Sequence, residues 1–391
     1  MANGAAPLSL DEVIKDLALL PVETGKPILS LYIQSHGQDL EQRKRVRVFL
    51  DQMLRSKEIQ RLREIDRDWA DKIKWIATEA DHFLNDKDKT VFHGIAFFAS
   101  WCSPEVIRYA SYLPFPNSVQ VLDFPALGPL VGQRDDYNPL CLCQFNQEEA
   151  HLLEIRHGQL QAEHAMGQEN YPHHKQGGWS QSRFQRKHDE GMEQFFRMIA
   201  NQLDQLAIRD PQLNFALLGQ RKEVPLLEKY LSEQVLKRVI NREPSENGMS
   251  TGQLLRRGIE ILEKYERRRE RDDLARLSLG RIAQGFGSVS PDKVFRAINE
   301  GQVETLLVRE NLDDAGAIDL VTHTILDEYS SRSPYGGTGD ISIGPLREML
   351  VYETVRRKGR IQWLPPSPSN GEIPAYGVLY RNRNRVEYAG N

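Results

Sequence analysis

The chain has 391 residues, 40% hydrophobic and 27% charged, and this length and composition predict a globular protein of two or three domains. Its 51 basic residues nearly balance its 55 acidic ones, so overall charge excludes a protein that coats nucleic acid, and any such contact must use a local basic patch. The three cysteines lack metal-ligand spacing, and the sequence shows neither an export signal nor an apolar run of about 20 residues. We therefore expect a reduced, cytoplasmic protein without cofactor, bound metal or membrane contact.

Residues 1–132 predict an N-terminal α/β domain, because helical and strand patterns are mixed on a short scale. The predicted helices are Leu8 to Leu20, Gln42 to Leu54 and Ile59 to Ile76, and the predicted strands are Ile28 to Ile33, Val91 to Ala99 and Val119 to Phe124. The basic cluster Arg43-Lys44-Arg45-Arg47 could touch RNA. We interpret it as the solvent face of a helix whose apolar side carries Val46, Phe49 and Leu50.

The polar segment Gln133 to Asn138 predicts a boundary, followed by a middle domain over residues 138–274. Its pattern is a β-meander, a loop, a long helix, a strand and two helices. The predicted strands are Leu140 to Phe145, His151 to His157, Leu160 to Met166 and Asn214 to Gly219. The long helix after the loop is predicted to end at about Leu206, and the two later helices are predicted from Val224 to Ile240 and from Thr251 to about Asp273. His151, His157 and His164 could form a metal cluster, but we interpret them as surface or cross-strand residues because no carboxylate or cysteine set lies nearby in the sequence.

The loop between the meander and the long helix carries the strongest local signal. From Pro172 to His188 there are four Lys or Arg residues, three histidines and no acid. Adjacent glycines at Gly177 and Gly178 leave backbone N–H groups open to approach, and the helix that follows, capped by Ser180 or Ser182, starts with cations although its dipole prefers acids there. These features predict a site that holds a polyanion, and a solvated surface loop is the alternative.

Residues 275–391 predict a C-terminal α/β sandwich. The predicted helices are Pro291 to Glu300, Ala317 to Tyr329 and Leu346 to Arg357, and the predicted strands are Val303 to Val308, Arg360 to Leu364 and Tyr376 to Arg381. The glycine-rich loop Ser331 to Gly339 has neither a Walker nor a GxGxxG pattern, so no nucleotide site is expected there. The charged run Lys264 to Asp273 predicts a salt-bridged helix face that links the last two domains.

Three separated segments resemble the archaeal and eukaryotic class-1 peptide release factors. The stretch from Gly177 to Arg186 resembles their Gly-Gly-Gln loop and the Arg-Phe-x-Arg helix after it. Val303 to Asp313 resembles the strand that opens their third domain, and Gly359 to Trp363 with Tyr376 to Arg381 resembles their closing hairpin. The order of the three indicates a bacterial member of this family, related to Pelota and to the tRNA hydrolases of ribosome quality control. The resemblance implies an RNase H-like middle domain and a C-terminal sandwich like that of kink-turn-binding ribosomal proteins.

The resemblance also implies a function on the ribosome. The loop of the middle domain would enter the peptidyl-transferase centre, where the ester of peptidyl-tRNA is hydrolysed, and the partners would be rRNA, tRNA and a translational GTPase bound by the C-terminal domain. Gly177 and Gly178 would set the backbone, and Gln181 would exclude or orient water. The residues implied to bind RNA are Lys175, Trp179, Arg183, Arg186 and Lys187.

Two departures from the family pattern leave alternatives open. Trp179 stands where the family has Gln, and Gln181 follows two residues later. The first domain lacks the Asn-Ile-Lys-Ser motif for stop-codon decoding, for which Asp71 to Trp75 is no substitute. The hypotheses are a codon-independent peptidyl-tRNA hydrolase in ribosome rescue, and a non-catalytic factor for stalled or hibernating ribosomes. The third, a metal-dependent nuclease, offers only Glu154 and Glu163 as strand carboxylates.

Overall fold

The computed structural model describes residues 9–34, 40–85, 92–111, 113–136, 138–167, 181–244, 249–276, 284–326, 341–364 and 375–382. These residues form a mixed α/β structure with four sheets, which confirms the predicted fold class. The chain divides into two compact units, one made of residues 1–135 and 269–391 and the other of residues 136–268. The three-domain division and its RNase H-like middle domain stay predictions.

The N-terminal segment is a four-stranded antiparallel sheet with helices. Its elements are α1 (Leu10–Ala18), β1 (Ile28–Gln34), α2 (Leu40–Arg55), α3 (Lys57–Ile65), α4 (Arg67–Asn85), β2 (Gly94–Ser100), β3 (Ile107–Ser111), β4 (Ser118–Leu122) and α5 (Gly128–Asp136). The strands lie in the order β3-β2-β1-β4. Alternation along β1 sends Leu29 and Leu31 into the core under α2 to α4, whereas Tyr32 enters a core on the other face. Helix α5 extends through most of the polar segment, Gln133 to Asn138, that predicted a domain boundary.

The unit of residues 136–268 contains a five-stranded sheet covered on both faces. The elements from this part of the chain are β5 (Leu140–Phe145), β6 (Glu149–Arg156), β7 (Gln159–Gly167), α6 (Gln181–Arg209), β8 (Asn214–Gly219), α7 (Val224–Glu228), α8 (Glu233–Leu236), β9 (Val239–Pro244) and α9 (Thr251–Arg276). The order is β7-β6-β5-β8-β9, with β7, β6 and β5 antiparallel and β5, β8 and β9 parallel. Cys141 and Cys143 face a core with α6, and Leu142 faces a core with α9.

The C-terminal segment adds two sheets to the first unit. Its elements are β10 (Gly287–Ser288), α10 (Pro291–Asn299), β11 (Val303–Arg309), β12 (Ala315–Asp319), β13 (Thr324–Leu326), β14 (Ile341–Pro345), α11 (Leu346–Arg356), β15 (Arg360–Leu364) and β16 (Tyr376–Tyr380). One sheet has the order β10-β16-β11-β15 and the other β13-β12-β14. Because β11 lies between β15 and β16, the predicted closing hairpin is wrong: each strand pairs with β11, where its side chains reach the buried core.

Two predicted helices are also wrong. The segment Ala317 to Tyr329 contributes β12 and β13, because the Asp319 carboxylate accepts hydrogen bonds from the N–H groups of Val321 and Thr322 at 2.9 and 3.0 Å. His323 then turns the chain with a φ of 53°. The segment Val224 to Ile240 breaks into α7 and α8, and its end enters β9, which pairs in parallel with β8.

Candidate functional site

The predicted site lies where strand β7 gives way to helix α6. Strand β7 ends at Gly167 and α6 begins at Gln181, so the helix starts directly after the diglycine segment. Lys175, Gly177, Gly178 and Trp179 lie outside the described residues. Gln181, Arg183, Arg186 and Lys187 fall in the first two turns of α6, where the backbone is described and the side chains are not. Of the two capping candidates, Ser180 directly precedes the helix, whereas Ser182 lies inside it.

The beginning of α6 is an electropositive helix end. The first four backbone N–H groups of any helix lack intrahelical partners and carry the positive pole of the helix dipole. The first turn of α6 contains no acidic residue, and Arg183 is its third residue. An anion near this end would meet N–H groups, the helix dipole and cationic residues together. The helix geometry therefore agrees with the chemistry expected of a phosphate-binding segment.

The C-terminal half of α6 is held firmly by the sheet. Phe195, Phe196, Ile199 and Leu203 are buried against the core that contains Cys141 and Cys143, as the hydrophobic spacing predicts. The Phe196 ring meets the Phe145 ring edge-to-face, with centroids 5.8 Å apart. The helix has 29 residues, which makes it about 43 Å long at a rise of about 1.5 Å per residue. The helix that begins after the diglycine segment is thus anchored to the sheet by its C-terminal half.

His164 contacts a buried carboxylate, which the sequence did not reveal. Nε2 of His164 lies 3.1 Å from Oε1 of Glu154, and Arg209 at the end of α6 donates to the other carboxylate oxygen. Burial opposes ionisation of Glu154, but the hydrogen bonds from Arg209 and His164 prevail and hold its pKa below the ordinary value. This cluster ties β6, β7 and α6 together. Among the described residues, no group of histidines, cysteines and carboxylates has the arrangement of a metal site.

The two carboxylates of the nuclease hypothesis lie on opposite faces of the sheet. Glu154 is opposite Ala162 and faces α6, whereas the neighbouring pair, Leu153 and Glu163, faces the other side. Glu163 accepts a hydrogen bond from the Thr251 hydroxyl at 2.9 Å. Because a metal-dependent nuclease needs carboxylates that converge on one ion, this pair does not supply such a site.

The basic residues of the N-terminal segment lie in two different environments, one buried and one at the surface. Lys72, in the stretch compared with the decoding motif, is 3% exposed, and its ammonium group donates to the Ser100 carbonyl at 2.8 Å and to Asp68 at 2.5 Å. In the cluster from Arg43 to Arg47, Lys44 pairs with Glu41 at 2.8 Å, and Arg47 donates to Asn85. Val46 is buried, so the interpretation as a solvent-facing helix side is confirmed.

The three cysteines differ in burial, and the charged run of helix α9 is only partly a solvent face, because Asp273 at its end is 5% exposed and accepts a hydrogen bond from Arg360. All three cysteines are free. Burial raises the pKa of Cys143 to about 12 and raises the pKa of Cys141 well above the ordinary value of a cysteine thiol. In α9, Arg267 and Glu263 are 3.9 Å apart, as expected of a salt-bridged solvent face. None of the described helices is long and apolar enough to cross a membrane.

Residues 125–263 match the family model described as "Bacterial archaeo-eukaryotic release factor family 10". No curated protein matches the chain. Among solved structures, the archaeal translation termination factor aRF1 is 14% identical, with 95% of this chain and 97% of that chain covered and a TM-score of 0.27. Archaeoglobus fulgidus Pelota is 12% identical, with 97% and 94% covered and a TM-score of 0.32. S. cerevisiae Dom34, described as a translation termination-like factor interacting with Hbs1, is 12% identical, with 74% and 76% covered and a TM-score of 0.35.

Proposed function

We propose that the chain, whose residues 125–263 match the model of a bacterial archaeo-eukaryotic release factor family, hydrolyses peptidyl-tRNA during ribosome rescue without decoding a stop codon. The observation that carries the proposal is the position of the diglycine segment: it lies inside the family match and directly before the positive end of α6. The substrate is the ester that joins the nascent peptide to tRNA, and the partners are rRNA and tRNA.

The chemistry needs an oriented water molecule and a donor for the oxyanion that develops on the ester carbonyl. Backbone N–H groups beside Gly177 and Gly178 can donate without a titrating side chain, which suits a segment that contains no acid. Gln181 is the first residue of α6 and thus the first amide side chain after the glycines. In this role the Gln181 amide either orients the attacking water molecule or excludes other water from the site.

The cationic residues position the segment on RNA rather than take part in bond breaking. Lys175, Arg183, Arg186 and Lys187 neutralise phosphates, and those on α6 lie at the helix end that already favours anions. Trp179 stacks on an unpaired base, an interaction worth about 1–3 kcal/mol. The lack of a decoding motif and the buried position of Lys72 agree with an activity independent of the codon.

The hydrolase proposal is tested with stalled ribosomes that carry peptidyl-tRNA and an empty A site. Purified protein should release the peptide, and Gln181→Ala should slow release about 100-fold or more, the loss typical of removing one transition-state hydrogen-bonding group. Gln185→Ala, one turn later on the same helix, is the matched control and should keep most of the activity. Wild-type protein that binds these ribosomes but releases no peptide would refute hydrolysis.

A second candidate is a non-catalytic factor that occupies the A site of stalled or hibernating ribosomes. Trp179 at the family's Gln position favours it, because an indole supplies stacking and no water-orienting amide. Here ribosome binding should survive Gln181→Ala, weaken about 10- to 100-fold with Trp179→Ala, and be lost when Arg183 and Arg186 are changed to Glu. Equal binding by the charge-reversed protein would contradict this candidate.

The C-terminal segment is proposed to bind a translational GTPase. The proposal rests on the resemblance of β11, β15 and β16 to the third domain of the release factors. Binding is measured between the full chain and a purified bacterial GTPase that delivers aminoacyl-tRNA, in its GTP and GDP states. Absence of binding in both states, on and off the ribosome, would remove this partner.

A further inference from the structure

The N-terminal and C-terminal segments of the chain share one hydrophobic core. That core contains Leu10, Val13, Ile14 and Leu17 of α1 together with C-terminal side chains from α10, β11 and α11. Helix α1 packs against α11, which lies more than 300 residues later in the sequence. A core built from both segments cannot be separated without exposing apolar surface on each, at a cost that grows with the area exposed.

Specific contacts accompany this shared core. The Phe124 ring stacks on the Tyr352 ring with centroids 5.1 Å apart and planes inclined by 27°. The guanidinium group of Arg356 donates a 2.7 Å hydrogen bond to the Ala18 carbonyl at the end of α1. A Cβ on Gly132 would lie 3.1 Å from Nε1 of Trp363, so a glycine lets helix α5 approach the tryptophan closely. Such contacts require a fixed fit between the two segments.

Two aspartates, one just before and one just after residues 136–268, contact the same strand of this unit. The carboxylate of Asp135, the last residue of the first segment, accepts a 2.8 Å hydrogen bond from the Ile361 N–H. Asp273, four residues after the chain returns at Arg269, accepts a hydrogen bond from the guanidinium group of Arg360. Asp135 and Asp273 are 7% and 5% exposed. Their partners are consecutive residues at the start of β15, so we call these two contacts the β15 clasp.

From the shared core and the β15 clasp we infer that residues 1–135 and 269–391 fold and unfold as one cooperative body, and that residues 136–268 are an insertion which unfolds independently of it. The chain therefore has two folding bodies although its sequence order has three segments. Residues 136–268, which carry the diglycine loop, can therefore unfold while the body made of residues 1–135 and 269–391 stays folded. This inference holds whichever of the two proposed functions is correct.

The test is native-state hydrogen exchange of the full chain, followed by mass spectrometry in low urea so that the slowest amides exchange through unfolding. Ile14→Val in α1 and Ile298→Val in α10 each remove one buried methylene, a change that should speed exchange about 2- to 10-fold. Either change should accelerate hydrogen exchange of the amides in β1, β2, β11 and β16 by the same factor and leave exchange in β5 and β8 unchanged. Ile199→Val, in the core of the insertion, is the matched control and should accelerate only β5 and β8.

Two outcomes would overturn the inference. If Ile14→Val accelerated only the N-terminal strands, the two segments would be separate bodies. If Ile199→Val accelerated all the strands equally, the insertion would not be independent.

The β15 clasp is tested separately, because a shared core could exist without it. Asp135→Ala should accelerate exchange in both segments about 10-fold or more, as expected for loss of a hydrogen bond to a buried carboxylate. Asp16→Ala, at an exposed position of α1, is the control and should change little. Asp273→Ala should resemble Asp135→Ala, and its exposed neighbour Asp272 supplies the second control. Unchanged exchange in both clasp variants would refute the clasp.

Discussion

Replacing Glu154 by Gln should weaken the attachment of α6 to its sheet. The substitution keeps the size of the side chain and removes the charge that accepts hydrogen bonds from Arg209 and His164. Gln also directs an amide NH₂ toward groups that are themselves donors. The expected result is lower stability of the 136–268 unit at neutral pH.

The magnitude follows from the exposure of the three side chains. Hydrogen bonds to charged groups contribute about 1.5–3 kcal/mol when well buried. The Glu154 side chain is 5% exposed, but the Arg209 side chain is 59% exposed and that of His164 is 38% exposed. Water therefore screens the pair and solvates Arg209 once its partner is neutral. We expect the lower end of the range, about 1.5 kcal/mol, which corresponds to about a tenfold increase in hydrogen exchange.

The assay is hydrogen exchange of β5 and β8 in the full chain at several pH values. Because the pKa of Glu154 is lowered in the folded protein, its stabilisation is fully present above the ordinary Glu pKa of about 4.3 and is lost as the pH falls through the lowered value. The ratio of variant to wild-type exchange should thus be about ten at pH 7 and approach one in stronger acid. Using the ratio cancels the pH dependence of exchange chemistry itself.

Glu163→Gln is the matched control, because Glu163 lies on the opposite face and accepts a neutral hydrogen bond from Thr251. It should change stability by less than about 0.5 kcal/mol. A cost for Glu154→Gln that equals the control, or that persists unchanged in acid, would refute the assigned role of the carboxylate.

Two further predictions concern packing and thiol reactivity. Gly258→Ala should destabilise the 136–268 unit by about 1–3 kcal/mol in urea unfolding, because the new Cβ would lie 2.3 Å from Cδ1 of Ile155. Gly252→Ala in the same helix meets no atom within 4 Å and should be neutral or stabilising; equal effects of both would contradict the steric reason. In native protein at pH 8, an alkylating reagent should modify the half-buried Cys102 and spare the two buried β5 cysteines, whose thiol pKa values are raised. Mass spectrometry that finds three modifications before unfolding would contradict that prediction.

Local sequence patterns were sufficient to predict a helix or strand where that element has its own apolar face. The spacing of Phe195, Phe196, Ile199 and Leu203 predicted the buried side of α6, and the alternation after Pro139 predicted the meander. The position of the candidate loop followed from these two elements, because it is bounded by a strand on one side and a helix on the other. The basic residues of that loop were equally visible in the sequence.

Elements fixed by distant partners could not be predicted in this way. In β12, Ala317 and Ile318 fit a helical spacing, but their environment is set by pairing with Ile343 and Ser342 of β14, about 25 residues later. The one local signal that this segment forms a turn between strands and not a helix was Asp319, whose short side chain accepts hydrogen bonds from the N–H groups that follow it. Likewise, β15 and β16 look like a hairpin because they are neighbours in sequence, whereas β11 separates them.

The His164 contact illustrates the same limit within the site region. Glu154 and His164 are ten residues apart on adjacent strands, where Glu154 lies opposite Ala162 and His164 lies opposite Leu152. Arg209 completes the cluster from the far end of a helix that begins at the candidate loop. No spacing rule brings these three residues together without the sheet and helix in place.

The Asp135 contact also bears on the behaviour of the protein in concentrated solution. Strand β15 is at the edge of its sheet, and the Ile361 N–H points out of that edge. Unpaired edge groups are templates on which a second chain can add a strand and begin aggregation. By occupying this N–H, the Asp135 carboxylate removes one of the free edge groups, which disfavours addition of a foreign strand. The residue that ends the first segment thus helps to keep the sheet from growing between molecules.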